Sequence, residues 1–163
     1  MILLGVPVLA GAFLLVEAGL EHIRAPKALA RAAGTGVAAA RAIAVVEFII
    51  GVPSVAAVVF GTPELRWALA AQAVMYGAFA AHLSWRRYRG DESDCGCNSM
   101  GAQVGPGGIA RAVVLAAATV AATTLYPAAA LPGGAIAVLL IACAAVVAIL
   151  LYTLPAAVDG RAA

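Results

Sequence analysis

Long apolar segments separated by short polar ones run through the whole chain. About 20 residues of α-helix cross a hydrocarbon core of ~30 Å, and each apolar segment reaches that length. The pattern therefore predicts an all-α integral membrane bundle that forms a single domain over residues 1–163. We place its membrane-spanning helices, five in all, at residues 2–21, 37–60, 65–85, 109–129 and 135–154.

The segments outside the spans carry turn and interface signals. Pro26 can open a short helix that places Lys27 and Arg31 on one face, as is typical of a helix lying on lipid headgroups. No basic region precedes the first span and no small-residue cleavage site follows it, so we expect a retained helix rather than a signal peptide. Residues 155–163 are expected to form a short tail.

Hydrophobic residues make up 64% of the chain and charged residues 11%, with a mean hydropathy of +1.03. A soluble domain needs only about 45–50% apolar residues, so the composition excludes that class and makes the lipid bilayer a partner. The net charge is +2. Because the basic residues lie at helix ends, where membrane topology accounts for them, the charge does not indicate nucleic-acid binding.

The basic residues are divided very unequally between the two ends of the predicted bundle. Nine of the ten lie on the side that holds the connections after the first and third spans, and Arg66 lies on the other side. Connections that remain in the cytoplasm carry such an excess of Lys and Arg. We therefore expect a multi-pass protein of the bacterial inner membrane, with its N-terminus outside and the connection over residues 86–108 in the cytoplasm.

The longest polar stretch, residues 86–108, holds two of the three cysteines, Cys95 and Cys97, with Gly96 between them. In a cytoplasmic segment such a pair is more often a set of metal ligands or catalytic thiols than a structural bridge. A disulfide closed over one residue is strained, which favours its reduction and makes it a good oxidant. Cys95 and Cys97 are therefore candidate catalytic residues, whereas Cys143, inside an apolar span, is expected only to pack.

A metal site is a second interpretation of the same loop. His22 ends the first span and His82 lies one turn before the end of the third, so both should approach the face that holds the loop. Two thiolates with two imidazoles form a ligand set that suits zinc or copper. The alternative metal site therefore comprises Cys95, Cys97, His22 and His82, and the plainer interpretation is an interfacial histidine at each helix end.

Glu47 is the third candidate, because it lies about ten residues into the second span and so near the middle of the membrane. An unpaired carboxylate there costs about 2.5–3.5 kcal/mol on insertion scales, and such groups usually face a cavity or a partner. Two interpretations stay open. Glu47 is either a catalytic proton relay or quinone contact, or a structural carboxyl group hydrogen-bonded to Gln72, Tyr76 or a backbone carbonyl.

These features together resemble the MauE branch of the DoxX-like membrane proteins, and the resemblance covers roughly residues 1–125. It implies a four-helix DoxX-like core with one further span. The matching residues are Gly19-Leu20-Glu21-His22 at the end of the first span, Glu47-Phe48-Ile49-Ile50-Gly51 in the second, and Cys95-Gly96-Cys97 before a span that opens with Arg111.

Members of this family are linked to methylamine utilisation, in particular to maturation of a disulfide-rich dehydrogenase subunit alongside a thioredoxin-like partner. The resemblance therefore implies membrane thiol–disulfide redox transfer by an oxidoreductase, with a quinone as the candidate cofactor. Disulfides form outside the cytoplasm, whereas the charge bias places Cys95 and Cys97 inside. Either the loop re-enters the membrane, or the protein carries reducing equivalents outward from a cytoplasmic donor. The alternative function is a non-enzymatic scaffold or accessory subunit of a larger complex.

Overall fold

A computed structural model gives the fold and describes residues 2–62, 66–91, 103–125 and 134–159. Every long element within these ranges is an α-helix, which confirms the predicted all-α bundle. In chain order the helices are α1 (Ile2–Arg24), α2 (Pro26–Ala32), α3 (Val37–Phe60), α4 (Arg66–Tyr88), α5 (Pro106–Leu125) and α6 (Ala135–Val158).

Within these described ranges, four helices are long and apolar enough to cross a bilayer, namely α1, α3, α5 and α6. Helix α4 is as long, at 23 residues, but Gln72, His82 and the arginines of its last turn lower its mean hydropathy. It packs against α3 and α5, so neighbouring protein covers part of its polar surface. The prediction of about five membrane-spanning helices is confirmed, and the chain is a multi-pass membrane protein.

Helix α1 is the centre of the bundle and contacts α3, α5 and α6. It meets α3 closely at two glycines. A Cβ atom on Gly51 would lie 2.8 Å from Val16 Cγ2 and 2.9 Å from Val16 N, and one on Gly19 would lie 3.0 Å from the carbonyl oxygen of Ala44. Small residues let the backbones of membrane helices approach closely, and here they fix the register of α1 against α3.

This register leaves the start of α3 beyond the end of α1. Gly19 lies about one and a half turns before the end of α1, yet it packs against Ala44 and Phe48, which lie about two to three turns into α3. The first turns of α3 therefore project past α1, and α2 packs against α3.

Side chains of α4 bond to backbone carbonyls of α1 in the half of the bundle away from the loop between α4 and α5. Gln72 Nε2 donates to the carbonyl oxygen of Val8 at 3.0 Å and contacts Thr119 Oγ1 at 3.3 Å. Tyr76 Oη donates to the carbonyl oxygen of Gly11 at 2.7 Å. These buried bonds link α1, α4 and α5 in that half of the bundle.

Arg111 compensates for a proline in α6. Pro155 is buried near the end of α6 and has no N–H group, so the carbonyl oxygen of Leu151 lacks its usual helical donor. Arg111 Nη1 donates to this oxygen at 3.2 Å. The start of α5 is thereby tied to the last turns of α6.

Asp159, directly after α6, closes the N-terminus of α5. Its carboxylate accepts the N–H groups of Gly107 at 2.9 Å and Gly108 at 3.0 Å. An anion at this position satisfies donors that have no helical partner, and the helix dipole favours it. Asp159 and the last turn of α6 therefore belong to the folded bundle, in contrast to the short tail predicted over residues 155–163.

Candidate functional site

A cavity of about 510 Å³ lies in the half of the bundle nearest the loop between α4 and α5. Its walls come from the C-terminal halves of α1, α4 and α6, the N-terminal halves of α3 and α5, and α2. An apolar cavity with a few convergent polar groups is typical of a small-molecule site. Most of the lining is aliphatic or aromatic, and its polar members include His22, Glu47, Tyr76, His82, Arg111 and Tyr152.

Glu47 and His22 form a buried acid–imidazole pair in the cavity wall. Glu47 Oε2 and His22 Nδ1 lie 2.7 Å apart, Glu47 has no exposed surface, and His22 is 8% exposed. A hydrogen bond of this length places one proton between the two groups, away from water. Such a pair can release or accept a proton at a fixed position.

Glu47 meets His22 because of the offset between α1 and α3. Glu47 lies ten residues after the first residue of α3, near the middle of that helix. Because α3 begins beyond the end of α1, this residue is level with the last turns of α1, where it contacts His22.

The second carboxyl oxygen of Glu47, Oε1, is buried and has no hydrogen-bond partner among the described residues. The structural interpretation from the sequence gives Glu47 a bond to Gln72, Tyr76 or a backbone carbonyl. Those side chains bond to Val8 and Gly11 instead, and the carboxyl group bonds to an imidazole. A buried acceptor without a partner costs about 1–3 kcal/mol, so Oε1 is a position that a ligand group can satisfy.

His82 lies on the exposed side of α4 and lines the same cavity as His22. The structure therefore brings both predicted histidines to one site, although His22 bonds to a carboxyl group. Cys95 and Cys97 lie outside the described residues. Within the described ranges, no group of three or more His, Cys, Asp or Glu side chains is arranged to hold a metal ion. The alternative metal site stays a prediction from the sequence.

Three further side chains belong to the site or its rim and were not candidate site residues in the sequence. They are Glu21, Arg111 and Tyr152. Tyr152 lines the cavity and donates from Oη to Glu21 Oε1 at 2.9 Å, which joins α6 to α1. Arg111 lines the cavity from α5 while one of its N–H groups bonds to α6. All three are polar residues within two turns of the end of an apolar span, at the end of the bundle that holds the loop. This position near a span end is the feature of the sequence that could have identified them.

The cavity and the cysteine loop share one end of the bundle. The loop leaves at the end of α4 and returns at the start of α5. His82 lies less than two turns before that departure, and Arg111 lies less than two turns after that return. Both attachment points of the loop are therefore close to the cavity wall.

Comparison with known proteins gives one finding at the level of the family. The sequence model of a family described as "Methylamine utilisation protein MauE" matches residues 1–125. The matched region includes the Glu47–His22 pair, His82 and the loop cysteines, and it ends with α5. Nothing among curated proteins or solved structures matches the chain.

Proposed function

This chain belongs to the family of the methylamine utilisation protein MauE, and we propose that it is a membrane thiol–disulfide oxidoreductase. Cys95 and Cys97 are its exchanging pair, and a thioredoxin-like protein is its partner. In methylamine utilisation this activity is an accessory one, which supplies or removes disulfide equivalents for another protein.

The observation that carries this proposal is the position of the cavity. A loop with two closely spaced cysteines is attached to the same end of the bundle as a buried carboxyl–imidazole hydrogen bond, that between Glu47 and His22. Thiol–disulfide chemistry moves protons together with electrons. A scaffold has no need for a buried carboxyl group with one oxygen left unpartnered in the described part of the chain.

The exchange conserves bonds and protons. A thiolate of the partner attacks one sulfur of the Cys95–Cys97 disulfide, forms a mixed disulfide and releases the other sulfur as a thiolate. The second thiol of the partner then attacks the mixed disulfide and frees the remaining sulfur. The partner leaves oxidised, and the two protons of its thiols end on Cys95 and Cys97. Strain in a ring closed over Gly96 alone favours this direction.

The partner acts on the cytoplasmic face in this proposal. Nine of the ten basic residues lie at the loop end of the bundle, and cytoplasmic connections carry this kind of excess. The protein then moves reducing equivalents from a cytoplasmic dithiol into the membrane.

A redox titration of the purified protein, followed by mass shift on thiol alkylation, tests the cysteine pair. We expect a reversible two-electron transition of Cys95 and Cys97 at a potential above that of thioredoxin, which is about −270 mV. Cys143 of α6 is the internal control, and its alkylation should not change over the titration.

Trapping experiments test the partner. Cys95→Ser and Cys97→Ser should each hold a thioredoxin-like protein as a mixed disulfide on the remaining thiol, and the matched control Cys143→Ser should hold none. The redox function is wrong if both loop thiols stay fully alkylated in oxidising buffer. It is also wrong if the Cys95→Ser/Cys97→Ser double variant complements a deletion strain, and the scaffold function then takes its place.

A further inference from the structure

We infer that the cavity binds a neutral lipid that carries a hydroxyl group, and that this hydroxyl donates to Oε1 of Glu47. Three observations support this assignment. The charged and titratable groups of the cavity lie at one end of it, its opening faces lipid, and its buried carboxyl oxygen is an acceptor. No residue of the cysteine loop takes part, so the site does not depend on the disulfide exchange proposed for that loop.

The lining of the cavity is divided into a polar end and an apolar end. His22 lies two residues before the end of α1, Arg111 five residues after the start of α5, and Tyr152 six residues before the end of α6, so all three lie at the loop end. Leu14 lines the opposite end, about 12 Å from His22 along α1. Tyr76 also lines the cavity, but its hydroxyl is already bonded to a carbonyl oxygen of α1. A molecule with a polar head and an apolar chain matches this division.

The cavity opens sideways between α3 and α4. Ala42 and Val46 of α3 and Ala78 of α4 line the cavity and are also exposed on the outside of the bundle. In a multi-pass protein this outer surface meets lipid, so a ligand enters from the bilayer rather than from water. The cavity volume of about 510 Å³ falls within the ~300–1,000 Å³ of small-molecule sites. The route and the volume therefore select a small molecule that dissolves in the bilayer.

The hydrogen bond between Glu47 and His22 determines which kind of group the ligand must present. Its length of 2.7 Å places one proton between Oε2 and Nδ1. Whichever of these two atoms holds the proton, Oε1 carries none and is a buried acceptor, without a partner among the described residues. Burying an acceptor without a donor is unfavourable. The ligand group that stabilises the complex is therefore a hydrogen-bond donor.

A hydroxyl group is the donor that suits the rest of the cavity. An ether, an ester, a quinone and an ionised fatty acid present acceptors only, and each would leave Oε1 of Glu47 unpaired. An ammonium group donates, but Arg111 lines the same polar end and repels a second cation strongly in apolar surroundings. A hydroxyl group is neutral, and its oxygen can also accept a hydrogen bond from a guanidinium N–H group.

Photolabelling in lipid nanodiscs tests the site. The probe is a decanol that carries a diazirine in its chain, and mass spectrometry locates the labelled residues. We expect label on Met75 and Phe79, which form part of the apolar wall. Ala78→Phe narrows the opening and should reduce this labelling by about tenfold or more. Ala81→Phe should leave it unchanged, because Ala81 is an exposed alanine of the same helix outside the cavity lining. Equal labelling of the two variants overturns the site.

Competition between two isomers tests the hydroxyl group. Decanol and methyl nonyl ether contain the same atoms, but only the alcohol has an O–H group. With concentrations measured in the bilayer, decanol should displace the probe at about tenfold lower concentration than the ether. Equal potency would identify a site for any apolar chain and overturn the inference. Decylamine tests the charge of the head, and stronger competition by decylamine than by decanol would overturn the neutral class.

Glu47→Gln tests the acceptor. The amide oxygen accepts from His22 Nδ1, so the amide nitrogen takes the position of Oε1 and donates where the carboxyl oxygen accepts. Alcohol and ether oxygens both accept such a bond. The variant should therefore still bind the probe but lose the preference for decanol over methyl nonyl ether.

Ser54→Ala is the matched control, because Ser54 is a buried polar residue of the same helix outside the cavity lining. We expect this variant to keep the wild-type preference for decanol. A preference that persists unchanged in Glu47→Gln would show that Oε1 is not the acceptor, and it would overturn the assignment.

The lipid site and the proposed function fail in different ways. The Cys95→Ser/Cys97→Ser protein should take up the probe and keep the preference for decanol. If disulfide exchange fails while this labelling persists, the lipid site stands and the thiol function is wrong. If the loop cysteines exchange with a partner and the probe does not label the cavity, the thiol function stands and the lipid site is wrong.

Discussion

Glu47 Oε2 and His22 Nδ1 lie 2.7 Å apart at the interface of α3 and α1, and both side chains are buried. The contact depends on the offset that Gly19 and Gly51 impose on the two helices. A buried ionisable pair is often no more stabilising than well-packed apolar side chains of similar volume. The place of this pair in the wall of an apolar cavity therefore argues for a role in chemistry rather than in support of the fold.

Removing one member of this pair should cost nearly as much stability as removing both. Glu47→Ala leaves a buried imidazole without its partner, and His22→Ala leaves a buried carboxyl group alone, so each should cost about 3 kcal/mol. The cost of the double variant should fall short of the sum by about 3 kcal/mol. Unfolding in mixed micelles followed by circular dichroism measures this cycle, and additive costs would show that the two side chains are not coupled.

The spans could be predicted from the sequence because a bilayer requires about 20 consecutive apolar residues and few charges. His22 and Glu47 could be singled out for the same reason, as ionisable residues in or beside such segments. The contact between these two side chains could not be predicted from the sequence. It depends on the register of α1 against α3, which the backbone contacts of Gly19 and Gly51 fix, and no pattern along either helix alone encodes that register.

The end of α6 shows a similar limit. A proline usually marks the end of a helix, because it removes one hydrogen bond and clashes with the preceding turn. Pro155 therefore predicts a tail, yet the helix continues to Val158. Arg111 supplies the missing donor to Leu151 from another helix, and Asp159 bonds back to α5. Contacts between residues so far apart in the chain are not visible in its local pattern.

Gly51→Ala should destabilise the bundle, whereas Gly77→Ala should not. A Cβ atom on Gly51 would lie 2.8 Å from Val16 Cγ2 and 2.9 Å from Val16 N, so α1 and α3 must move apart. We expect a cost of about 1–3 kcal/mol. Gly77 faces open space on α4 and is the matched control. Thermal unfolding in detergent measures both, and equal melting temperatures would contradict the close approach of the two helices.

The stability of the start of α5 should depend on how many acceptor oxygens residue 159 provides. Asp159→Ala removes both acceptors of the Gly107 and Gly108 N–H groups and should cost about 1–2 kcal/mol. Asp159→Asn keeps one acceptor oxygen and should cost less. Hydrogen exchange of these two amides, read by mass spectrometry, measures the effect. Exchange that is unchanged in Asp159→Ala would show that the cap does not hold α5.

The orientation of the bundle is tested with reporter fusions. The nine-to-one distribution of basic residues predicts that the end holding the cysteine loop is cytoplasmic. Alkaline phosphatase, which is active only in the periplasm, should be active when fused after Thr62, between α3 and α4, and inactive when fused after residue 163. Activity of the second fusion would reverse the orientation and with it the compartment of the thiol partner.

Arg111 and Pro155 should be energetically coupled, although the two side chains lie on different helices. In the wild type the carbonyl oxygen of Leu151 has no helical donor, because residue 155 is a proline, and Arg111 Nη1 takes that place. Arg111→Met removes the donor and should cost about 1.5–3 kcal/mol, the range for a hydrogen bond to a charged group. Arg111→Lys keeps a donor on a flexible stem and should recover part of this loss.

The Pro155→Ala background decides whether the proline is the reason for the contact. There, residue 155 regains an N–H group that can bond to the Leu151 carbonyl oxygen within α6, so the oxygen no longer depends on α5. Arg111→Met should then cost less than in the wild type by about 1 kcal/mol, measured from unfolding free energies in mixed micelles. If Arg111→Met costs the same in both backgrounds, Arg111 stabilises the bundle by packing or charge, and its bond to Leu151 is incidental.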